Sequence, residues 1–316
     1  MKKYLNTLFI TTQGSYLSKE GETIVVSVNK EIKLQIPIHT IWGIVCFGQV
    51  SMSPYLMGFC AENKVAVSFL TEYGHFLASI QGKVSGNVLL RREQYRWADD
   101  MKSSIQIAKF IIMGKISNCR TVLRRALRDH ADKLNIRELE EASKQLKLYI
   151  SKIQNIRNLD ELRGIEGLSA NTYFGVFNHL IVSQKNNFKF EKRSRRPPLD
   201  EVNCLLSFLY TLLMHDIRSA LESVGLDSCV GFLHRDRPGR PGLALDIMEE
   251  FRPFLADRLA LSLINREQIR KKNFKKMESG AVFINDNIRK EILIAYQKRK
   301  QEEIMHPYLK ERVPIG

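Results

Sequence analysis

Residues 81–99, QGKVSGNVLLRREQYRWAD, divide the chain into two kinds of sequence. Before them apolar residues alternate, and after them they recur every three or four positions with arginines on the other faces. Upstream, YLSKEGETIVVSV (16–28) sets a Gly21 turn between two strand-like runs, EIKLQIPI (31–38) alternates Ile32, Leu34 and Ile36, and VAVSFL (65–70) is β-rich. A second hairpin turn is predicted at Tyr73-Gly74. One helix interrupts this part at SPYLMGFCAENK (53–64), where Ser53 suits the N-cap and Pro54 the first helical position. Downstream the spacing predicts helices over 88–98, 102–130, 136–155, 169–182, 200–221, 243–264 and 286–303, joined by loops without strands. The boundary falls near Gly82 to Asn87. The expected fold class is therefore α+β: a β-rich N-terminal domain, residues 1–85, and a larger all-α C-terminal domain, residues 86–316.

The 49 Lys+Arg against 34 Asp+Glu leave a formal charge of +15, which calls for a polyanionic partner, either nucleic acid or an anionic membrane surface. The membrane reading lacks a basic amphipathic helix with aromatic anchors. The longest apolar run, 202–214, is interrupted by Asn203, Ser207 and Thr211 and falls short of the roughly 20 residues of a membrane span. Thr11, Thr12 and Gln13 break the N-terminal apolar stretch before signal-peptide length, so a cytoplasmic protein is expected. Cysteines at 46, 60, 119, 204 and 229 form no C-x-x-C pair and are expected as buried reduced thiols. The phosphate loop, the dinucleotide glycine motif, H-E-x-x-H and G-x-S-x-G are all absent.

Three stretches carry the remaining chemistry. In GFLHRDRPGRPGLALDIMEEFRP (231–253), His234 lies between basic residues, and Asp246, Glu249 and Glu250 follow at helical spacings of three and four. The neighbouring Arg235 and Arg237 favour a neutral imidazole, a metal ligand, and Pro253 is expected to kink the helix near Glu249. A third acid, Glu166 in RGIEGLSANTYF (163–174), stands between two glycines at the expected start of a helix. By position alone each of these also reads as a solvated carboxylate or an ordinary loop histidine. The loop KFEKRSRRPPLD (189–200) stiffens at Pro197-Pro198 and ends on Asp200, an expected N-cap. Lys192, Arg193, Arg195 and Arg196 there, with Arg235, Arg237 and Arg240, are candidate DNA phosphate contacts.

SGNVLLRREQYRWAD, GIEGLSANTYF, RSRRPPLDEVNCLLSFLYTLL, VGFLHRDRPGRPGLALDIMEEFRP and HPYL follow one another in the order of a known family. Over nearly its whole length the chain resembles the CRISPR-associated adaptation nuclease-integrases, the Cas-one proteins. The resemblance implies a β-rich domain that builds a homodimer and a helical domain holding Mg²⁺ or Mn²⁺. It carries the family's metal-binding, catalytic residues onto Glu166, His234 and Glu249, with Asp246 as a supporting acid. It implies a DNA endonuclease and strand transferase that joins 3′-hydroxyl ends of short fragments to CRISPR repeat borders, working with a small partner of the Cas-two family. A non-catalytic DNA-binding scaffold of the same fold is the alternative. Relatives carry a further short helical tail after the His-Pro segment, whereas this sequence stops at ERVPIG (311–316).

Overall fold

Alternating apolar residues before residue 81 build two four-stranded sheets. The structure, a computed structural model, describes residues 6–74, 76–80, 82, 87–130 (His130 by its backbone only), 135–305 and 310–315. Residues 83–86 of the expected boundary and the HPYL segment, 306–309, lie outside the described residues. The chain divides into two compact units, residues 1–86 with 286–316, and residues 87–285.

In the first unit, β1 (Thr7–Ile10), β5 (Gly43–Phe47) and β7 (Ala66–Leu70) run parallel, and β8 (Phe76–Ile80) closes the edge antiparallel to β7. The other sheet has the order β4-β3-β2-β6, formed by β4 (Glu31–Pro37), β3 (Thr23–Val28), β2 (Ser15–Glu20) and β6 (Val50–Met52). The expected turns are found, with Gly21 at φ 54° and Gly74 at φ 87°. A further two-residue turn at Asn29-Lys30, both with positive φ, matches the right-handed twist of the strands that it joins. Helix α1 (Pro54–Glu62) starts as expected: the Leu56 N–H donates to Ser53 Oγ at 3.2 Å. It packs on β2 and β7, and Leu17, Ile24, Ile44, Leu56, Cys60 and Val67 form the core. The alternation of Ile32 and Leu34 does not put them inside, because β4 is an edge strand; both are exposed. The closing segment 286–316, expected with the helical domain, groups here through α9 (Asp286–Gln301), whose Gln301 Nε2 donates to Asn6 Oδ1 at 3.1 Å.

The second unit contains α2 (Val88–Asp99), α3 (Met101–His130), α4 (Ile136–Ile153), α5 (Leu159–Gly175), α6 (Glu201–Ser223), α7 (Gly242–Phe251) and α8 (Arg258–Asn265). It is not all helix. β9 (Phe274–Lys276) and β10 (Val282–Ile284) form a hairpin, and β11 (Glu303–Met305) pairs with β12 (Arg312–Pro314) in the other unit. Three-residue strands are too short to show a period in sequence. The helix expected at 169–182 begins ten residues earlier, because Asn158 caps it, accepting from the Glu161 N–H at 2.8 Å, and Asp160 and Glu161 suit its first turn. Gly164 and Gly167 are therefore interior residues of α5, and Glu166 lies mid-helix rather than at its start. The helix expected over 243–264 is divided by a π-helical segment, Arg252–Asp257. Pro253 has no N–H to continue the α ladder there. Four cysteines are buried as expected, but Cys229 is exposed, on the loop before α7. Among the described residues no helix is long and apolar enough to cross a membrane.

Candidate active site

A close backbone approach brings His234 to Asp246. A Cβ on Gly231 would lie 2.7 Å from the Gly242 carbonyl carbon, and one on Gly242 2.5 Å from the Cys229 carbonyl oxygen. Only glycine permits this approach, which aims three successive amides at one carboxylate. Phe232 and Leu233 N–H donate to Asp246 Oδ2 at 2.6 and 2.9 Å, and His234 N–H donates to Oδ1 at 3.1 Å. The imidazole completes the shell, with Nδ1 2.5 Å from Oδ1. A carboxylate only accepts, so the ring proton of a neutral His234 sits on Nδ1 and leaves the lone pair on Nε2. Arg163 braces the same loop, donating twice to the Leu233 carbonyl at 2.9 and 2.7 Å.

Beside this pair, four charges meet. Lys115 Nζ of α3 is hydrogen-bonded to Glu166 Oε1 of α5 and lies 2.6 Å from Glu249 Oε2 of α7. Arg252 Nη1 pairs with Glu249 Oε1. Lys115 and Glu249 are buried, at 6% and 4% exposure, so each charge needs the others. Burial alone would raise the Glu249 carboxyl, but Arg252, then Lys115, with a smaller pull from His234, bring it down to about 2. Burial would lower the Lys115 ammonium, and Glu249 and Glu166 outweigh it, for a net rise. The Arg252 and Arg193 guanidiniums lie over the Tyr210 ring at 4.9 and 5.2 Å, and the Tyr210 hydroxyl donates to Asp257 Oδ1 at 2.6 Å. A cavity of about 110 Å³ opens beside them, lined by Lys115, Glu166, Tyr210, Glu249, Arg252 and Asp257 among others.

The three expected ligands are thus treated differently. Glu166 and Glu249 converge on one cation, whereas His234 is held by Asp246. Among the described residues no three His, Cys, Asp or Glu side chains are gathered closely enough to hold a metal. Two carboxylates and an imidazole nitrogen nevertheless suit Mg²⁺ or Mn²⁺ as donors, and the ammonium already marks where the carboxylates take up positive charge. Of the acids expected on one helix side, Asp246 and Glu249 are buried, while Glu250 is exposed and packs across Gly114. Lys192, Arg195, Arg196, Arg235 and Arg237 are exposed, although Arg235 pairs with Asp160 at 2.8 Å. Arg240 is half-buried, and Arg193 is bound internally, donating to Asn203 Oδ1 at 2.5 Å and Ser207 Oγ at 3.0 Å.

The family model for CRISPR associated protein Cas1 matches residues 8–298. The chain belongs to the Cas1 family. It is 56% identical over 316 residues to a CRISPR-associated endonuclease Cas1 of Chlorobaculum tepidum, covering 100% of this chain and 92% of that protein. A solved Cas1 protein from Thermotoga maritima is 26% identical and superposes with a TM-score of 0.81 over 94% of this chain and 90% of its own. A chain in a partial Cas6-RT-Cas1–Cas2 complex is 25% identical with a TM-score of 0.64, covering 94% of this chain and 88% of that one.

In this Cas1-family chain, sequence reasoning missed Lys115, Arg252 and Asp257. Lys115 had a signal: it sits on the buried stripe Ala108, Ile112, Cys119 and Val122 of α3, where a charge demands a partner. Arg252 stands three residues after Glu249, the spacing of a helical ion pair. Asp257 had none, since its hydrogen-bond partners, Tyr210 and Tyr173, come from other helices. Burial raises the Asp257 carboxyl to about 6, against the pull of the Tyr210 and Tyr173 hydroxyls and then of Arg193 and Arg252. A raised folded-state pKa favours the fold below the unfolded value, and that advantage disappears as pH rises through 6. Asp257→Asn, which stays neutral, is expected to gain stability relative to the parent between pH 4 and 7, by up to roughly 3 kcal/mol. Urea unfolding across that range measures it, and a pH-independent difference overturns it.

Proposed function

We propose that this chain works as its family does, as a CRISPR adaptation endonuclease and integrase, with Glu166, His234 and Glu249 holding Mg²⁺ or Mn²⁺. The observation that carries this reading is the convergence of Glu166 and Glu249 on one buried positive charge, next to an imidazole oriented by Asp246. When bound there, the ion supplies a Lewis acid for a phosphoryl oxygen. The protein's own groups do the rest. Asp246 holds the His234 ring by Nδ1, so that Nε2 is the ligating nitrogen. Arg252, fixed by Glu249 and Tyr210, keeps a positive charge beside the reacting phosphate. Exposed Lys192, Arg195, Arg196 and Arg237 contact the DNA backbone.

In the reaction, a donor 3′-oxygen forms a bond to phosphorus at the repeat border, and the bond from phosphorus to the departing 3′-oxygen breaks. The proton lost by the attacking hydroxyl is regained by the leaving one. One phosphodiester replaces another, so no nucleotide is consumed. With water as the nucleophile the same exchange is hydrolysis. Two copies pair through the β-rich unit, a reading supported by the exposed Ile32 and Leu34 on edge strand β4. A small Cas2-type protein is the further partner, as in the solved complex with a related chain. We place the protein in the cytoplasm with the DNA on which it acts.

The test is incubation with a 3′-overhang duplex and a supercoiled repeat-bearing plasmid, with and without the small partner. Joined product is expected with Mn²⁺ or Mg²⁺ and none in chelator. Tight DNA binding without product under every condition overturns the catalytic reading in favour of a scaffold.

A further inference from the structure

We infer that Lys115 is a resident counter-cation whose ammonium occupies the place of the divalent ion, so that ion entry requires it to swing away. The inference rests on the proposed metal site and concerns how that site fills. Three observations lead to it. First, the charges already balance: Glu166 and Glu249 carry two negative charges, and Lys115 and Arg252 two positive ones. A divalent ion arriving at the carboxylates meets two cations in a buried setting, where repulsion is weakly screened.

Second, only one of those cations is free to leave. Arg252 is held by Glu249 and lies over Tyr210, in a helical segment fixed on both sides by α7 and α8. Lys115 has a flexible four-carbon stem, and its ammonium makes its ion pairs with the same two carboxylates that the ion needs. Third, there is room for it. Lys115 lines the cavity of about 110 Å³, whose walls hold Tyr173, Phe174 and Asp257 on one hand and the cations Arg193, Arg195 and Arg252 on the other. The Tyr173 and Phe174 rings and the Asp257 carboxyl are the walls suited to an ammonium, whereas the Tyr210 ring is already taken by Arg252 and Arg193.

Lys115 is thus a positioning residue. Without metal it holds the two acidic helices together, and it sets the affinity of the site by competition. The test is isothermal titration of the full chain with Mn²⁺ alone, comparing the parent with Lys115→Met. Removing the competitor is expected to tighten Mn²⁺ binding by about tenfold or more, since each factor of ten corresponds to only ~1.4 kcal/mol. The same variant is expected to melt lower than the parent in chelator and to recover more on adding Mn²⁺. A residue that merely fills space moves the melting temperature but not the affinity in this direction.

Equal or weaker Mn²⁺ binding in a cooperatively folded Lys115→Met overturns the inference and leaves the metal site standing. No Mn²⁺ binding by the parent overturns both. Should the variant not fold, the parent decides alone: reductive methylation of Lys115, followed by peptide mass spectrometry, is expected to rise on adding Mn²⁺. Unchanged labelling overturns the displacement.

Discussion

Glu249→Ala and His234→Ala are each expected to lose strand transfer by about a thousandfold while DNA binding stays within a few-fold, because a group at the reacting phosphate acts on the transition state and not on the duplex. The two variants differ in what else they disturb. Glu249 is buried and paired with Lys115 and Arg252, so its removal leaves two cations sharing Glu166. Breaking such a buried pair costs about 3–5 kcal/mol, and Glu249→Gln, which keeps the shape, is the companion variant. His234 is only half-buried, and His234→Ala separates chemistry from folding more cleanly. Strand-transfer rates and fluorescence anisotropy on the same DNA measure both quantities. Activity within tenfold of the parent in both folded variants sinks the assignment of these residues.

An equally large expected loss of stability lies one turn earlier. Asp246→Ala deletes the acceptor of three backbone N–H groups and of the His234 ring, all around a side chain with no exposure. Leaving those donors buried and unpaired is expected to cost about 3–5 kcal/mol, read as a lower urea midpoint at unchanged slope. Asp246→Asn is not conservative, since its amide turns donors toward donors. Either change also releases the imidazole, and the strand-transfer rate is expected to fall by a further 10- to 100-fold or so beyond what lost stability explains. A urea midpoint shift worth less than about 1 kcal/mol would show that the carboxylate is not the organiser of this loop.

These residues were visible in the sequence to different degrees. The change of period at 81–99, the Ser53-Pro54 helix start, the Asp200 cap and the turns at Gly21 and Gly74 are local rules, and the structure obeys them. The start of α5 was misplaced for an equally local reason. Gly164 and Gly167 stand inside the helix, where a Cβ at either would meet nothing, so they cost it only propensity. The cap that decides the start, Asn158, lies outside the motif that drew attention. The edge position of β4 was hidden as well, since alternation tells which residues share a face and not whether that face is covered.

Sequence by itself determined the change from alternating to helical spacing and nominated a short roll of acids and a histidine, because periodicity, caps and motif spacing act within a few residues. Only tertiary structure decided what those residues do to one another. It joins Glu166, Glu249 and Lys115 from three separate helices and wraps Asp246 in amides twelve to fourteen positions away. Burial then turns nominal charges into obligatory pairs, since a charge removed from water is stable only beside its opposite.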